Sequence, residues 1–191
     1  MAEKCKTGGK ESSKKRITLA DAERLYKEYD TPPHVIRHCK AVAWCALTIA
    51  RELNKHGYNL DLELVEGAGI VHDVARTSPR HWDVMADKLA EMGYPDESAI
   101  VRVHMEPGEY NDLAHITEAD MVKLGDRLVK EDQYVGIDER FDYIIEKAKK
   151  YGALHFDEIM ANKQKMQVLL DEIEGAIGCT IDSLFQVSLP K

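Results

Sequence analysis

The chain has 191 residues, 44% of them hydrophobic and 31% charged, the balance of a globular protein long enough to bury its own core. Its formal net charge is -8, and the first sixteen residues hold six basic and two acidic side chains, so residues 17–191 carry -12. A body that acidic lacks the clustered Lys and Arg of a long nucleic-acid groove. Its longest apolar run, residues 41–50, is far short of the roughly 20 residues that span a bilayer.

Residues 1–16 read as a flexible, basic tail; no apolar segment follows that would make it a secretory signal. Cys5, Cys39, Cys45 and Cys179 show no CxxC pairing and read as small apolar residues of a reducing, cytoplasmic compartment. Thr18 and Asp21 predict a helix start, and Leu19, Ala22, Leu25, Tyr26 and Tyr29 follow at amphipathic spacing. Pro32 and Pro33 open a second helix that runs to about His56, with Val35, Cys39, Val42, Ala46, Ile49 and Leu53 as its apolar stripe. Asp61 caps a third helix that ends near His72 and Asp73. Helices are expected over 79–92 and 95–104, then a loop over 106–116. Thr117 and Asp120 cap a helix to about Lys130, and helices over 137–151 and 156–176 complete the set. The expected architecture is all-α, one domain over 17–191 with seven to eight helices, and no segment predicts a strand. The last fifteen residues stay ambiguous.

His38 falls on the buried stripe of the second helix, and alone it fits a core imidazole satisfied by its neighbours. His72 falls on the inner stripe of the third helix in the same way. Beside it, Asp73 stands in an apolar surround, where a carboxylate costs several kcal/mol unless a cation or hydrogen bonds compensate it. Asp126 sits among Val122, Leu124, Leu128 and Val129. Imidazole and carboxylate donors from separate helices are how helical bundles build divalent metal sites. The order His, then His-Asp, then Asp carries that argument.

These residues resemble the HD-domain metal-dependent phosphohydrolases. The likeness rests on His38 in Ile36-Arg37-His38-Cys39, on His72-Asp73 in Ile70-Val71-His72-Asp73-Val74-Ala75-Arg76, and on Asp126 in Leu124-Gly125-Asp126-Arg127, over about residues 30–130. Where the common form of the dyad continues Ile-Gly-Lys, this chain has Val-Ala-Arg, so Arg76 stands at the lysine directed toward substrate phosphate. Arginine serves that purpose bidentately. The resemblance implies that His38, His72, Asp73 and Asp126 bind a divalent metal, whether Fe, Mn, Co, Ni, Zn or Mg. It is similar to binuclear bacterial members that cleave diadenosine tetraphosphate, which implies a second ion held with His81 and His104 and bridged by Asp73.

His81, beside Arg80 and Trp82, is equally well read as exposed. His115 is a weaker substitute, and His34, His56 and His155 read as surface residues. The implied activity is hydrolysis of a small phosphorylated substrate, a nucleotide foremost, by metal-activated water, with Asp73 and Arg76 in catalysis. Arg76, Arg37 and Arg127 are candidates for binding substrate, although a surface ion pair is the plainer reading of the last two. A di-iron oxygenase and a non-catalytic regulatory module are the alternatives. A homodimer stays open.

Overall fold

The computed structural model describes residues 14–106, 110–150, 152 and 156–186. Among them are nine α-helices: α1 (Leu19–Glu28), α2 (Pro33–Lys55), α3 (Leu62–Val71), α4 (His81–Glu91), α5 (Pro95–Val103), α6 (Glu118–Leu128), α7 (Gly136–Lys150), α8 (Phe156–Ile177) and α9 (Ile181–Phe185). The fold is all-α, as expected. None of these helices is long and apolar enough to cross a membrane. Cys5, His155 and tail residues 1–13 lie outside the described residues.

The caps read from sequence close as hydrogen bonds. Thr18 Oγ1 accepts from the Asp21 N–H and Asp21 Oδ2 accepts from the Thr18 N–H, at 3.2 and 3.0 Å, and Thr117 with Asp120 repeats the capping box on α6. Asp61 caps α3 through the Leu64 N–H at 3.1 Å. Of the expected tail, residues 14–16 lie against the body. Arg16 bonds Asp61 at 2.7 Å and Asp96 at 2.8 Å, and the next N–H, of Ile17, donates to buried Glu97 at 3.0 Å.

Helix α2 is the central column. Its expected stripe, from Val35 to Leu53, is buried throughout. Two glycines let neighbouring helices seat directly on it. A Cβ added at Gly69 of α3 would stand 2.8 Å from Ala43 Cα, and one at Gly125 of α6 would stand 2.7 Å from the Val42 carbonyl oxygen. His72 and Asp126, next to these contacts, are thereby drawn toward the inner face of α2.

Three local departures from the sequence reading matter for the site. α4 begins at His81 and not at residue 79, because Arg80 takes the left-handed conformation, φ 50°, and ends the preceding turns. α6 stops at Leu128 because Val129–Lys130 and Gln133–Tyr134 pair as a short antiparallel hairpin (strands β1 and β2), whose turn holds Glu131 at φ 56°. The ambiguous C-terminus carries α9, capped by Thr180.

Candidate metal centre

Six side chains from five parts of the chain converge beneath one cleft. His38 comes from the second turn of α2, His72 and Asp73 from the end of α3, and His81 from the first residue of α4. His104 follows the last residue of α5, and Asp126 lies in the last turn of α6. All are buried except His38, whose side chain keeps 15% of its exposure and opens to the cleft.

The ring orientations follow from one repeated device. His72 Nδ1 donates to the Gly69 carbonyl at 2.8 Å, His104 Nδ1 to the Val101 carbonyl at 2.6 Å, and His38 Nδ1 to the Glu131 carbonyl at 2.7 Å. A carbonyl only accepts, so each Nδ1 carries the proton and each Nε2 is turned inward. The carbonyl that orients His38 belongs to the hairpin turn that sequence periodicity did not predict.

Inward, these nitrogens meet carboxylates. His38 Nε2 lies 3.1 Å from Asp126 Oδ1 and 4.0 Å from Asp73 Oδ2, and His72 Nε2 lies 3.7 Å from Asp73 Oδ2 and 4.0 Å from Asp126 Oδ1. On the other side of Asp73, Oδ1 stands 2.9 Å from His81 Nε2 and 3.6 Å from His104 Nε2. Among the described residues, the buried Nε2 atoms of His72, His81 and His104 nonetheless have no hydrogen-bond partner of acceptable geometry.

Acceptor atoms crowded together and left unpaired in a buried space are costly. A cation between them resolves the conflict. Two triads fit one: His38 with His72 and Asp73, and Asp73 with His81 and His104, each with donor atoms within 4.8 Å of one another. Asp73 belongs to both. Neutral imidazoles with carboxylates suit a divalent first-row metal or a harder ion.

Protonation agrees with the geometry. Burial pushes the His72 pKa down to about 4, against the charge of Asp73, so this ring is neutral at pH 7. Burial raises the pKa values of Asp73 and Asp126, but their surroundings outweigh it and hold both well below the usual carboxylate range: for Asp73 the charge that His72 takes on once acid protonates it, then the permanent charge of Arg76, and for Asp126 the charge of Arg127. Asp73 and Asp126 are therefore anionic.

A cleft of about 520 Å³ opens over His38, Asp73 and Asp126, and a chamber of about 280 Å³ that includes His104 adjoins it. Arg76 Nη1 donates to both Asp73 oxygens, at 3.0 and 2.7 Å, and lines both spaces. Arg127 pairs with Asp126. Arg37 lies at the outer edge, its side chain 60% exposed and paired with Asp132 at 2.9 Å.

His81 is buried, not exposed. His34 is exposed and sits on the cleft rim, His56 is exposed, and His115 points to solvent and bonds Asp112 outside the cluster. Sequence reasoning missed Arg140, whose Nε donates to the Asp126 carbonyl at 3.1 Å, together with Tyr143 and Lys147 of the same helix, all on the cleft wall. Their spacing of three and four residues, placing them on one face of α7, was the available signal.

An uncharacterised protein of Methanocaldococcus jannaschii is 32% identical over 95 residues, which cover 48% of this chain and 53% of that protein; the chain thus matches about half the length of this relative. No solved structure matches. The HD domain profile matches residues 35–135, more than half the chain and a span that contains all six converging side chains. The chain belongs to the HD domain family.

Proposed function

We propose that the protein is a hydrolase that cleaves a phosphate ester or anhydride of a small molecule, a nucleotide foremost, at a pair of divalent metal ions. The observation that carries this reading is the set of inward Nε2 atoms facing Asp73 and Asp126 without hydrogen-bond partners among the described residues. His38, His72, Asp73 and Asp126 would hold one ion; Asp73, His81 and His104 would hold the other. Bound divalent ions lower the pKa of coordinated water toward about 7 and polarise phosphoryl oxygens.

The chain's own side chains supply the rest. Asp73 faces both triads and fixes their separation. Arg76, now neutralised by Asp73, lies where its guanidinium can take the oxygens of a phosphate once Asp73 is engaged elsewhere. Arg127, paired with Asp126, is placed to do the same. Arg37, at the rim, would attract an anion without touching the reacting group.

The same six donors suit two irons in an oxygenase, but the arginines on the cleft wall favour an anionic phosphate substrate. The test is a panel of nucleoside mono-, di- and dinucleoside phosphates with Mn, Fe, Co, Ni and Mg. Phosphate or nucleotide release without oxygen uptake supports the hydrolase; oxygen-dependent turnover replaces it with the oxygenase.

A further inference from the structure

The cleft over the donor cluster and the chamber beside it share six lining residues: Arg76, Met105, Arg127, Arg140, Tyr143 and Lys147. Whatever is attached to a phosphate lying over Asp73 and passes into the chamber must cross this neck. Half of the neck comes from α7, which lies beyond the HD domain match.

On α7, Arg140, Tyr143 and Lys147 follow one another at helical spacing and share a face. Tyr143 stands between the two cations, with Lys147 Nζ 4.6 Å and Arg140 Cζ 5.6 Å from its ring centroid. Lys130 Nζ, bonded to Glu139 at 2.9 Å, lies 5.3 Å from the same centroid, so the ring gathers three positive charges and is taken up in doing so.

Among the described residues, neither charge has a carboxylate to itself. Arg140 donates to the main-chain carbonyl of Asp126, and its Nη2 stays 3.7 Å from Asp126 Oδ1, which already serves His38. No described carboxylate lies within ion-pair distance of Lys147. Arg76 and Arg127, by contrast, are bonded to Asp73 and Asp126. Among the described residues, the unclaimed positive charge of the neck is on α7.

We propose that Arg140 and Lys147 form a second phosphate subsite, so that the substrate carries at least two phosphates in tandem and the bond cleaved is a phosphoanhydride. This rests on the hydrolase reading above. In such a cleavage, water oxygen forms a new bond to one phosphorus and the bridging P–O bond breaks. The bridging oxygen leaves with the electron pair on the second phosphate, and the water's proton passes to solvent. Arg140 and Lys147 are placed to offset the charge that gathers on that leaving group.

Calorimetric titration of metal-loaded protein with methylphosphonate and with methylenediphosphonate tests this, in the wild type, Lys147→Met and Arg140→Gln. Lys147 is exposed, so its variant is expected to fold, and thermal melting checks both. The expected result is diphosphonate affinity at least about tenfold above that of the monophosphonate. Each variant should lose about tenfold for the diphosphonate and less than about twofold for the monophosphonate. A diphosphonate preference that survives in Lys147→Met, as chelation by the metals alone would leave it, overturns the subsite. Equal losses for both probes also overturn it. If a phosphomonoester is still hydrolysed and no preference exists, the subsite fails and the hydrolase stands; if neither probe binds, both readings fail.

Discussion

Nε2 of His38 lies 3.1 Å from Oδ1 of Asp126, while Nδ1 of the same ring lies 2.7 Å from the Glu131 carbonyl oxygen. Both neighbours accept, so the ring is satisfied only as an imidazolium. Burial opposes that charge, but the bond to Asp126 and the charges of Asp126 and Asp73 outweigh it, and the His38 pKa is raised. A proton therefore stands where a metal would draw on the same nitrogen.

Metal uptake should expel it. Calorimetry of Mn or Co binding at pH ~6.5, in buffers of different ionisation enthalpy, should show net proton release, up to about one proton per protein, and His38→Gln should remove most of that release. A wild-type binding enthalpy independent of buffer would contradict this account.

His72 titrates in the opposite direction. Its folded pKa of about 4 lies below the ordinary 6.5, so its contribution to stability is complete above pH 6.5 and is lost as pH falls through the folded value. In chelator-treated protein, the urea midpoint should fall between pH ~7 and ~4.5, and the fall should be smaller in His72→Gln, which cannot take up the proton. His38 works against this trend, since its stabilisation is present at low pH and lost as pH rises through its raised pKa. Identical pH profiles for wild type and His72→Gln would remove the assignment.

Asp73 faces both triads, so its loss should not resemble that of an outer ligand. Elemental analysis of protein purified without chelator should give about two equivalents of transition metal in the wild type and about one in His81→Ala or His104→Ala. Asp73→Asn should retain little of either ion. His72→Ala with Asp73→Ala should lose metal together with at least about a thousandfold of any phosphohydrolase kcat/KM. Full metal content in Asp73→Asn would rule out the bridging role.

Much of this centre is readable because it sits on regular helices. Periodicity alone turns His38, His72 and Asp126 inward, and the caps at Thr18, Asp61 and Thr117 fix where α1, α3 and α6 begin. His81 was ambiguous because its burial depends on the left-handed turn at Arg80, a single backbone choice with no periodic signature. The hairpin that orients His38 pairs only two residues on each strand, too few for an alternating pattern to register. Arg140 and Lys147 look like ordinary basic residues of an amphipathic helix; only the packing of α7 beside α6 gives them a cleft to line.

Glycine contacts behind the donors provide a test that leaves every donor unchanged. A Cβ at Gly125 would meet the Val42 carbonyl oxygen at 2.7 Å and Ala46 Cβ at 3.2 Å, and one at Gly69 would meet Ala43 Cα at 2.8 Å. Backbone cannot swing aside as a side chain can, so α6 or α3 must move away from α2. Such overpacking costs about 1–3 kcal/mol, against roughly 1 kcal/mol gained from replacing a helical glycine with alanine. Because Asp126 follows Gly125 and the Gly69 carbonyl holds His72, the shift should also spread the donors. Gly125→Ala and Gly69→Ala are each expected to be destabilised in denaturant and to bind metal about tenfold more weakly. Gly175→Ala on α8 is the control: nothing lies within 4 Å of its added Cβ, so it should gain up to about 1 kcal/mol and leave metal binding unchanged. If Gly125→Ala behaves like Gly175→Ala in both measurements, the close seating of α6 on α2 is not what positions Asp126.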